Sequence, residues 1–459
     1  MASQAPADRA LFVAFLGLLL WMPLPFGSNV PWAASLLQAW VMVIAGLWLL
    51  QYYRGRVAVG APFVRAWPVT ACLVAALLWI GVQALPLPEA LLGLLSPRAL
   101  EIHRSTHSYP SLSLDVHATR NAVSQTLAYL LLFCLTLLLV NTKARLKRLA
   151  QAIVLGGLFQ AAFGALMTLS GLEYGFFIHK AGGGVATGTF INRNHLAGYL
   201  EMCLAVGIGL MLAELSTTSA ANWRDSARRL LLTVLGNKAR VRIALVVMVA
   251  ALVLTRSRMG NVAFAVSLGI VGAFYVLAVR KLSGRTLGFF ASLLVIDLLV
   301  VGNFFGIEKV AQRLQQTTIE TEARVDVNRD GLAMLRDYPL TGTGAGSFAA
   351  VYPQYTRDVV VTQFTRHAEN DYLQFAIELG TPATALLGGA VLLSLWTAVR
   401  AQLKRRDPLM QGMGFAATMA IVALLIHSAV DFNLQIPSNA AMFVVMLAMG
   451  WVSRYWEHE

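Results

Sequence analysis

The chain has 459 residues, of which 57% are hydrophobic and only 13% charged, with a mean hydropathy of +0.64. That composition excludes a string of ordinary soluble domains and indicates a polytopic membrane protein. A net charge of +13 and a pI near 10.0 would suit nucleic acid, but Lys and Arg gather in alternate loops between apolar blocks, which excludes that reading.

Crossing a bilayer core takes roughly 20 helical residues. Blocks near that length fall, in chain order, at about 10–26, 31–51, 66–85, 121–141, 148–170, 194–215, 241–256, 260–279, 286–305, 371–399, 409–431 and 438–455. They predict an all-α fold, a polytopic membrane helical bundle of about twelve transmembrane helices. The first block has no small-residue cleavage site and runs into Pro-rich sequence, so it reads as a span and not as a signal peptide. Cys72, Cys134 and Cys203 all fall within spans and read as packing residues.

The basic loops carry Arg54 and Arg56; Lys143, Arg145, Lys147 and Arg148; Arg224, Arg228, Arg229, Lys238, Arg240 and Arg242; Arg280, Lys281 and Arg285; and Arg400, Lys404, Arg405 and Arg406. By the positive-inside rule these loops are cytoplasmic, and both termini fall on the same side. Anionic membrane lipids account for the excess charge. Three sizeable segments remain outside, about 86–120, about 171–193 and, between spans nine and ten, the longest, about 306–370. There, Val325, Leu332 and Leu335 predict an amphipathic surface helix, and Tyr338-Pro339 with GTGAGSF (342–348) predicts a Gly-rich turn. GTGAGSF lacks the Lys and the strand–turn–helix context of a phosphate loop, so it reads as structural. The 216–240 stretch reads as a solvated cytoplasmic loop. The chain divides into N-terminal transmembrane helices, 1–170, and a transmembrane core, 171–455, that includes the 306–370 loop.

Polar groups at the rim of a span are costly and are functional candidates, with pairing inside the bundle as the competing role. In TGTFINRNHLAGYLEM (187–202), Arg193, Asn194 and His195 stand at the outer start of the sixth span, after the Gly-rich AGGGVATG loop. An Arg at a helix start presents a planar fork of donors to a phosphate beside backbone N–H groups; a snorkelling interfacial Arg is the structural alternative. In LTRSRMGN (254–261), Arg256 and Arg258 run against the positive-inside trend and suit a diphosphate, with lipid-headgroup contact as the alternative. Arg324, Arg336 and Asp337 lead to the Gly-rich turn and then to RHAENDYLQFAIELG (366–380). In HSAVDFNLQIPSN (427–439), His427 and Asp431 are four apart and share a helix face; they read first as a mutually satisfied pair and second as a substrate contact. All four clusters share the outer side. The arginines favour a phosphorylated or diphosphate-linked lipid over a neutral solute, and the carboxylate and imidazole of 367–371 offer a general base.

In this order, GTFINRNHLAGYLEM, TRSR, RDYPLTGTGAGSF, HAENDYLQFAIELG and HSAVDFNLQIPSN resemble the O-antigen ligase and polysaccharide polymerase superfamily of bacterial inner-membrane proteins. The resemblance covers the C-terminal two thirds of the chain. It implies a twelve-span membrane glycosyltransferase of the inner membrane whose active site is periplasmic. The donor is an undecaprenyl-diphosphate-linked glycan, with no nucleotide sugar, no cofactor and no metal at the site. The acceptor is lipid A-core in ligases and a lipid-linked repeat unit in polymerases. A polymerase admits a chain-length regulator as a further partner. Arginines hold the donor diphosphate; Arg193 and Arg258 match best, with Arg256 and Arg324 as further candidates.

One departure bears on the chemistry. Such ligases carry a His followed by Asn, Ser or Gln, and then, after nine residues, a Gly. Here Asn370 and Gly380 keep that register, but Glu369 holds the His position and Ala383 that of the motif's second Gly. A carboxylate can accept a proton as imidazole can, so Glu369 and His367 are the catalytic candidates. Asn370 is expected to cap the tenth span, whose dipole would favour an ionised Glu369. Asn194, His195, Asp371, His427 and Asp431 are supporting residues, and Glu378 reads as buried and structural. The reading that follows is an inverting, metal-independent polymerase of exopolysaccharide or O-antigen repeat units, ahead of a ligase acting on lipid A-core or on protein. A transporter of lipid-linked oligosaccharide is the non-enzymatic rival, against which the lack of internal repeats counts.

Overall fold

The computed structural model describes residues 8–172, 174–175, 178–179, 184–215, 237–279, 288, 291, 326–356 and 365–456. Apart from two paired two-residue strands, Tyr174–Gly175 and Ile178–His179, the regular structure of these residues is helical. Seven helices among them are long and apolar enough to cross a membrane: Pro31–Tyr53, Val116–Leu139, Lys143–Ser170, Arg193–Glu214, Arg258–Val279, Thr381–Lys404 and Pro408–His427. Arg9–Trp21 and Trp67–Gln83 are apolar but shorter. Asn237–Leu254 opens on Lys238, Arg240 and Arg242, and Pro437–Tyr455 is polar at both ends. The predicted span 286–305, apart from residues 288 and 291, and Arg324, Val325 and the 216–236 stretch lie outside the described residues.

Two helices form the centre. The Arg193–Glu214 span is buried all round, and Pro408–His427 packs along it. A hydrophobic driving force between helices is missing in lipid, so close approach relies on small residues. At this crossing a methyl carbon added to Gly209 would lie 2.3 Å from the Gly412 carbonyl oxygen, and one added to Gly412 would lie 2.2 Å from that of Gly209. The two backbones are in direct contact. The surrounding core runs from Phe12 and Phe15 through Phe133 and Met248 to Trp451. Cys203 is buried and Cys72 and Cys134 are half-buried, all as free thiols, in keeping with packing roles.

The two ends of the bundle differ in chemistry. One end gathers Lys143 paired with Asp407, and Arg405 and Asn141 on the backbone and ring of Trp456. It also holds Arg145 in a bidentate pair with Asp8 at 2.6 and 2.7 Å, over the Phe12 ring. Arg145, read from sequence as one of the basic loop residues, is buried. The opposite end carries a layer built from helix 326–337, the turn 341–347 and the helix Asp371–Leu379, with a small core of Val327, Met334, Phe348, Leu373 and Ile377. Helix 326–337 is the surface helix the sequence predicted, but its inward face is Val327, Gly331 and Met334, and Leu332 points outward.

The tenth predicted block, 371–399, is not one helix. It breaks at Gly380 (φ +80°) into Asp371–Leu379 and Thr381–Lys404. The break has a steric cause: a side chain at Gly380 would place its first carbon 2.1 Å from the Leu340 carbonyl, and one at Gly342 (φ +70°) would meet the Glu378 carbonyl at 2.3 Å. Two backbones cross here, which only glycine permits. Pro382 then starts the next helix with its ring where no N–H is needed.

Candidate active site

The helix Asp371–Leu379 is held at both ends. At its C-terminal end the Glu378 carboxylate accepts the N–H groups of Gly346 (2.8 Å) and Phe348 (3.3 Å) and the side-chain amide of Gln374 (3.1 Å). Burial pushes this carboxyl up to about 7, while those donors pull it back. Gln83 clamps the same corner, donating to the Thr341 and Glu378 carbonyls and accepting from Ala345 N–H. Thr119 and Ser113 brace the far side of the turn. GTGAGSF is therefore a structural turn, as the sequence suggested, and Glu378 is its anchor.

At the N-terminal end, Asn370 caps the helix by accepting Leu373 N–H at 3.1 Å, as expected. Asp371 follows, and its carboxylate accepts Ser428 Oγ–H (2.8 Å), Leu434 N–H (3.0 Å) and the Gln435 amide (3.3 Å). Burial raises this carboxyl to about 7. The helix is thus pinned to the turn after His427. His427 is the last residue of its helix, so Asp431 lies in the turn beyond and not on the same helix; the two still approach to 3.8 Å.

Three distant segments meet at Phe432. The His367 ring stacks on it at 4.4 Å with 19° between the planes, and the His195 ring meets it edge-on at 4.7 Å. His195 Nε2 lies 3.7 Å from Asp431, and His427 Nδ1 lies 2.8 Å from Glu201, both fully buried. Asn439 holds the His195 carbonyl at 2.9 Å, and Asn433 sits against Gly198, where an added carbon would lie 2.3 Å from its oxygen. The first turn of the Arg193 helix is therefore locked onto the 428–439 turn.

The arginines gather where the start of that helix meets the 254–260 turn. Ala186 N–H bonds the Leu254 carbonyl at 2.9 Å, docking the Gly-rich loop beside Arg256, and Gly260 packs on Ala197 at a spacing no side chain would tolerate. Arg193 and Arg258 are the first residues of two helices whose starts lie together, where aligned N–H groups favour an anion. Arg193 and Arg256 are half-buried and Arg258 is exposed. Asn194 is half-buried with its N–H on Asn192 Oδ1. Arg336 and Asp337 lie away, on the outer helix, where Asp337 takes the Tyr355 hydroxyl at 2.6 Å.

Between His367 and Asn370 stands Glu369, with φ +54°. A left-handed conformation is unusual for a residue with a side chain, and such outliers gather at functional sites. Arg256 shares it, also at +54°. Sequence reading missed Phe432, Gln374, Ser428 and Glu201. An acid inside the sixth span and the Gln374–Glu378 spacing of one helix turn were visible signals; Phe432 gave none. An apolar cavity of about 440 Å³ adjoins the pinned helix, lined by Ile80, Tyr129, Phe375, Leu387 and Phe443, with Asp371 and Glu378 among its polar groups.

Residues 243–388 match the Wzy_C family model, described as O-antigen ligase. This bears out the resemblance to the O-antigen ligase superfamily, a group of membrane glycan transferases whose members imply lipid-linked glycan substrates. No curated protein matches the chain.

Proposed function

We propose that this multi-pass membrane protein, similar over residues 243–388 to the O-antigen ligase family, joins lipid-linked repeat units of an exopolysaccharide or O-antigen at the periplasmic face of the inner membrane. The observation that carries the reading is the junction at Phe432, where His195, His367 and Asp431 come together from three separate segments. The helix that carries His195 starts at Arg193, and its first turn packs against the start of the Arg258 helix through Ala197 and Gly260.

In this reading the acceptor hydroxyl attacks the anomeric carbon of the donor, and its proton passes to the 367–369 loop. The bond from that carbon to the diphosphate oxygen breaks, and its electron pair leaves with undecaprenyl diphosphate. Arg193, Arg256 and Arg258 meet the departing charge, with Arg324 as a further candidate. A single displacement inverts the anomeric centre. The apolar cavity suits a hydrocarbon chain of a lipid-linked substrate. The basic end of the bundle, which holds both Asp8 and Trp456, is assigned to the cytoplasm. The core 171–455 supplies the site residues, while 1–170 contributes the brace of Gln83, Ser113 and Thr119.

Glu369 in the place of the ligase His favours a polymerase; transfer to lipid A-core is the second reading on the same geometry. Deleting the gene and profiling surface glycans separates them. A polymerase loss leaves single units on lipid A-core. Polymer accumulating on undecaprenyl diphosphate would establish the ligase instead, and units trapped on the cytoplasmic side would overturn both in favour of a transporter.

A further inference from the structure

Gln374, one turn into the pinned helix, has three polar partners. Its Oε1 lies 3.1 Å from Ala368 N, and its Nε2 lies 3.1 Å from Glu378 Oε1 and 3.3 Å from His367 Nδ1. The two ends of this amide are not interchangeable. A backbone N–H can only donate, so Ala368 demands the oxygen, and the end facing Glu378 and His367 must be the NH₂ group with its two hydrogens. One hydrogen serves the Glu378 carboxylate, itself fixed by Gly346 and Phe348. The other points at His367 Nδ1, which must therefore offer a lone pair.

The imidazole is neutral near pH 7, because burial pushes its pKa down to about 4. A neutral ring with a lone pair on Nδ1 carries its proton on Nε2. Stacking on Phe432 keeps the ring plane fixed, so Nε2 occupies the edge away from Gln374.

We infer that Gln374 is a positioning residue that holds His367 in the Nε2–H tautomer, so that His367 donates a hydrogen bond to a substrate oxygen and does not accept the acceptor's proton. Glu369 is then the proton acceptor of the loop. The oxygen that gains most from such a donor is the diphosphate oxygen that becomes negative as the anomeric bond breaks. This rests on the transferase reading of the same loop, but the tautomer itself does not.

The tautomer is read directly by ¹⁵N NMR of histidine-labelled full-length protein in lipid nanodiscs, with His367→Gln used to assign the signal. The expected spectrum shows protonated Nε2 and bare Nδ1 in the wild type. Gln374→Glu puts an acceptor opposite Nδ1 and should move the proton there. A wild-type Nδ1–H ring, or a ring unmoved by Gln374→Glu, overturns the assignment. In a transfer assay with purified lipid-linked glycan, His367→Gln keeps an N–H near the Nε2 position and should stay within about tenfold of wild type. His367→Ala should fall by roughly 10²–10³, the loss typical of one oxyanion donor, and Glu369→Gln should fall further. His367→Gln as inactive as Glu369→Gln would also overturn it. A wild-type protein that transfers no glycan yet shows the Nε2–H ring refutes the transferase reading while leaving the tautomer standing.

Discussion

Glu369 offers a test in which stability and activity separate. Its φ of +54° places an L-residue in the left-handed region, which costs about 1–2 kcal/mol through contact of Cβ with the following carbonyl. Comparing Glu369→Gly with Glu369→Ala isolates that cost, since both variants lose the whole carboxylate arm and differ only in Cβ. Glycine releases the steric cost but gives the unfolded chain extra freedom worth about 0.4–1 kcal/mol. The net expectation is a Gly variant more stable than the Ala variant by roughly 0.5–1 kcal/mol, the reverse of the order at a loop position with negative φ. Denaturant midpoints of the two detergent-solubilised variants measure the difference, and the transfer assay should find both inactive. An Ala variant as stable as the Gly variant would refute the strained loop, and a Gly variant with full transfer would refute Glu369 as the proton acceptor.

Other expectations follow from particular contacts. Asp371→Asn keeps one oxygen for Ser428 and Leu434 and lets Gln435 turn its amide, so it should cost less than about 1 kcal/mol, whereas Asp371→Ala leaves three donors unmet and should cost about 2–5 kcal/mol; equal denaturation midpoints for the two would show that the charge, not the hydrogen bonding, is what matters. Gly412→Val drives a branched side chain into the Gly209 backbone and should destabilise by at least about 1–3 kcal/mol, while Gly388→Ala, with open space around it, should be nearly silent. Arg145→Met strands the buried Asp8 carboxylate and should cost about 3–5 kcal/mol, most of it recovered in the Asp8→Leu/Arg145→Met double variant, as thermal inactivation would report. For pH, the folded pKa of His367 is lowered from 6.5 to about 4, so the unfolded chain binds the proton first. The stability it contributes is complete above about 6.5 and lost as pH falls towards 4; His367→Gln should flatten that part of the stability curve.

Much of the helical plan was legible because each apolar block is near membrane length and the basic loops alternate with the polar ones. One cap was legible too: Asn370 before Asp371 accepts an N–H of its helix, as Ser257 and Asp407, which were not read from sequence, do for theirs. The break at Gly380 was hidden, since apolar periodicity runs through it and its cause, the Leu340 carbonyl, is forty residues away in the chain. The same limit applies to the partners at the site. Asp371 is bound by residues some sixty positions later, and His427 is bound by Glu201 across the central helix pair. Sequence spacing announces a polar residue in a costly place; it does not say which other one relieves the cost.

The break also bears on how the proposed 365–370 site is held in place. Were 371–399 one continuous helix, its first turn would take its position from the bundle alone. As a separate piece, Asp371–Leu379 takes its C-terminal anchor from the outer turn through Glu378 and its N-terminal anchor from the 428–435 turn through Asp371. Gln374 lies between these anchors and passes the position of Glu378 on to His367. A side chain that never reaches substrate, such as one placed at Gly342, would thus disturb the ring on Phe432 by moving the Glu378 end of this short lever. On the proposed function, this layer orients the loop, and Gly342 and Gly346 of GTGAGSF contribute through backbone contact with Glu378.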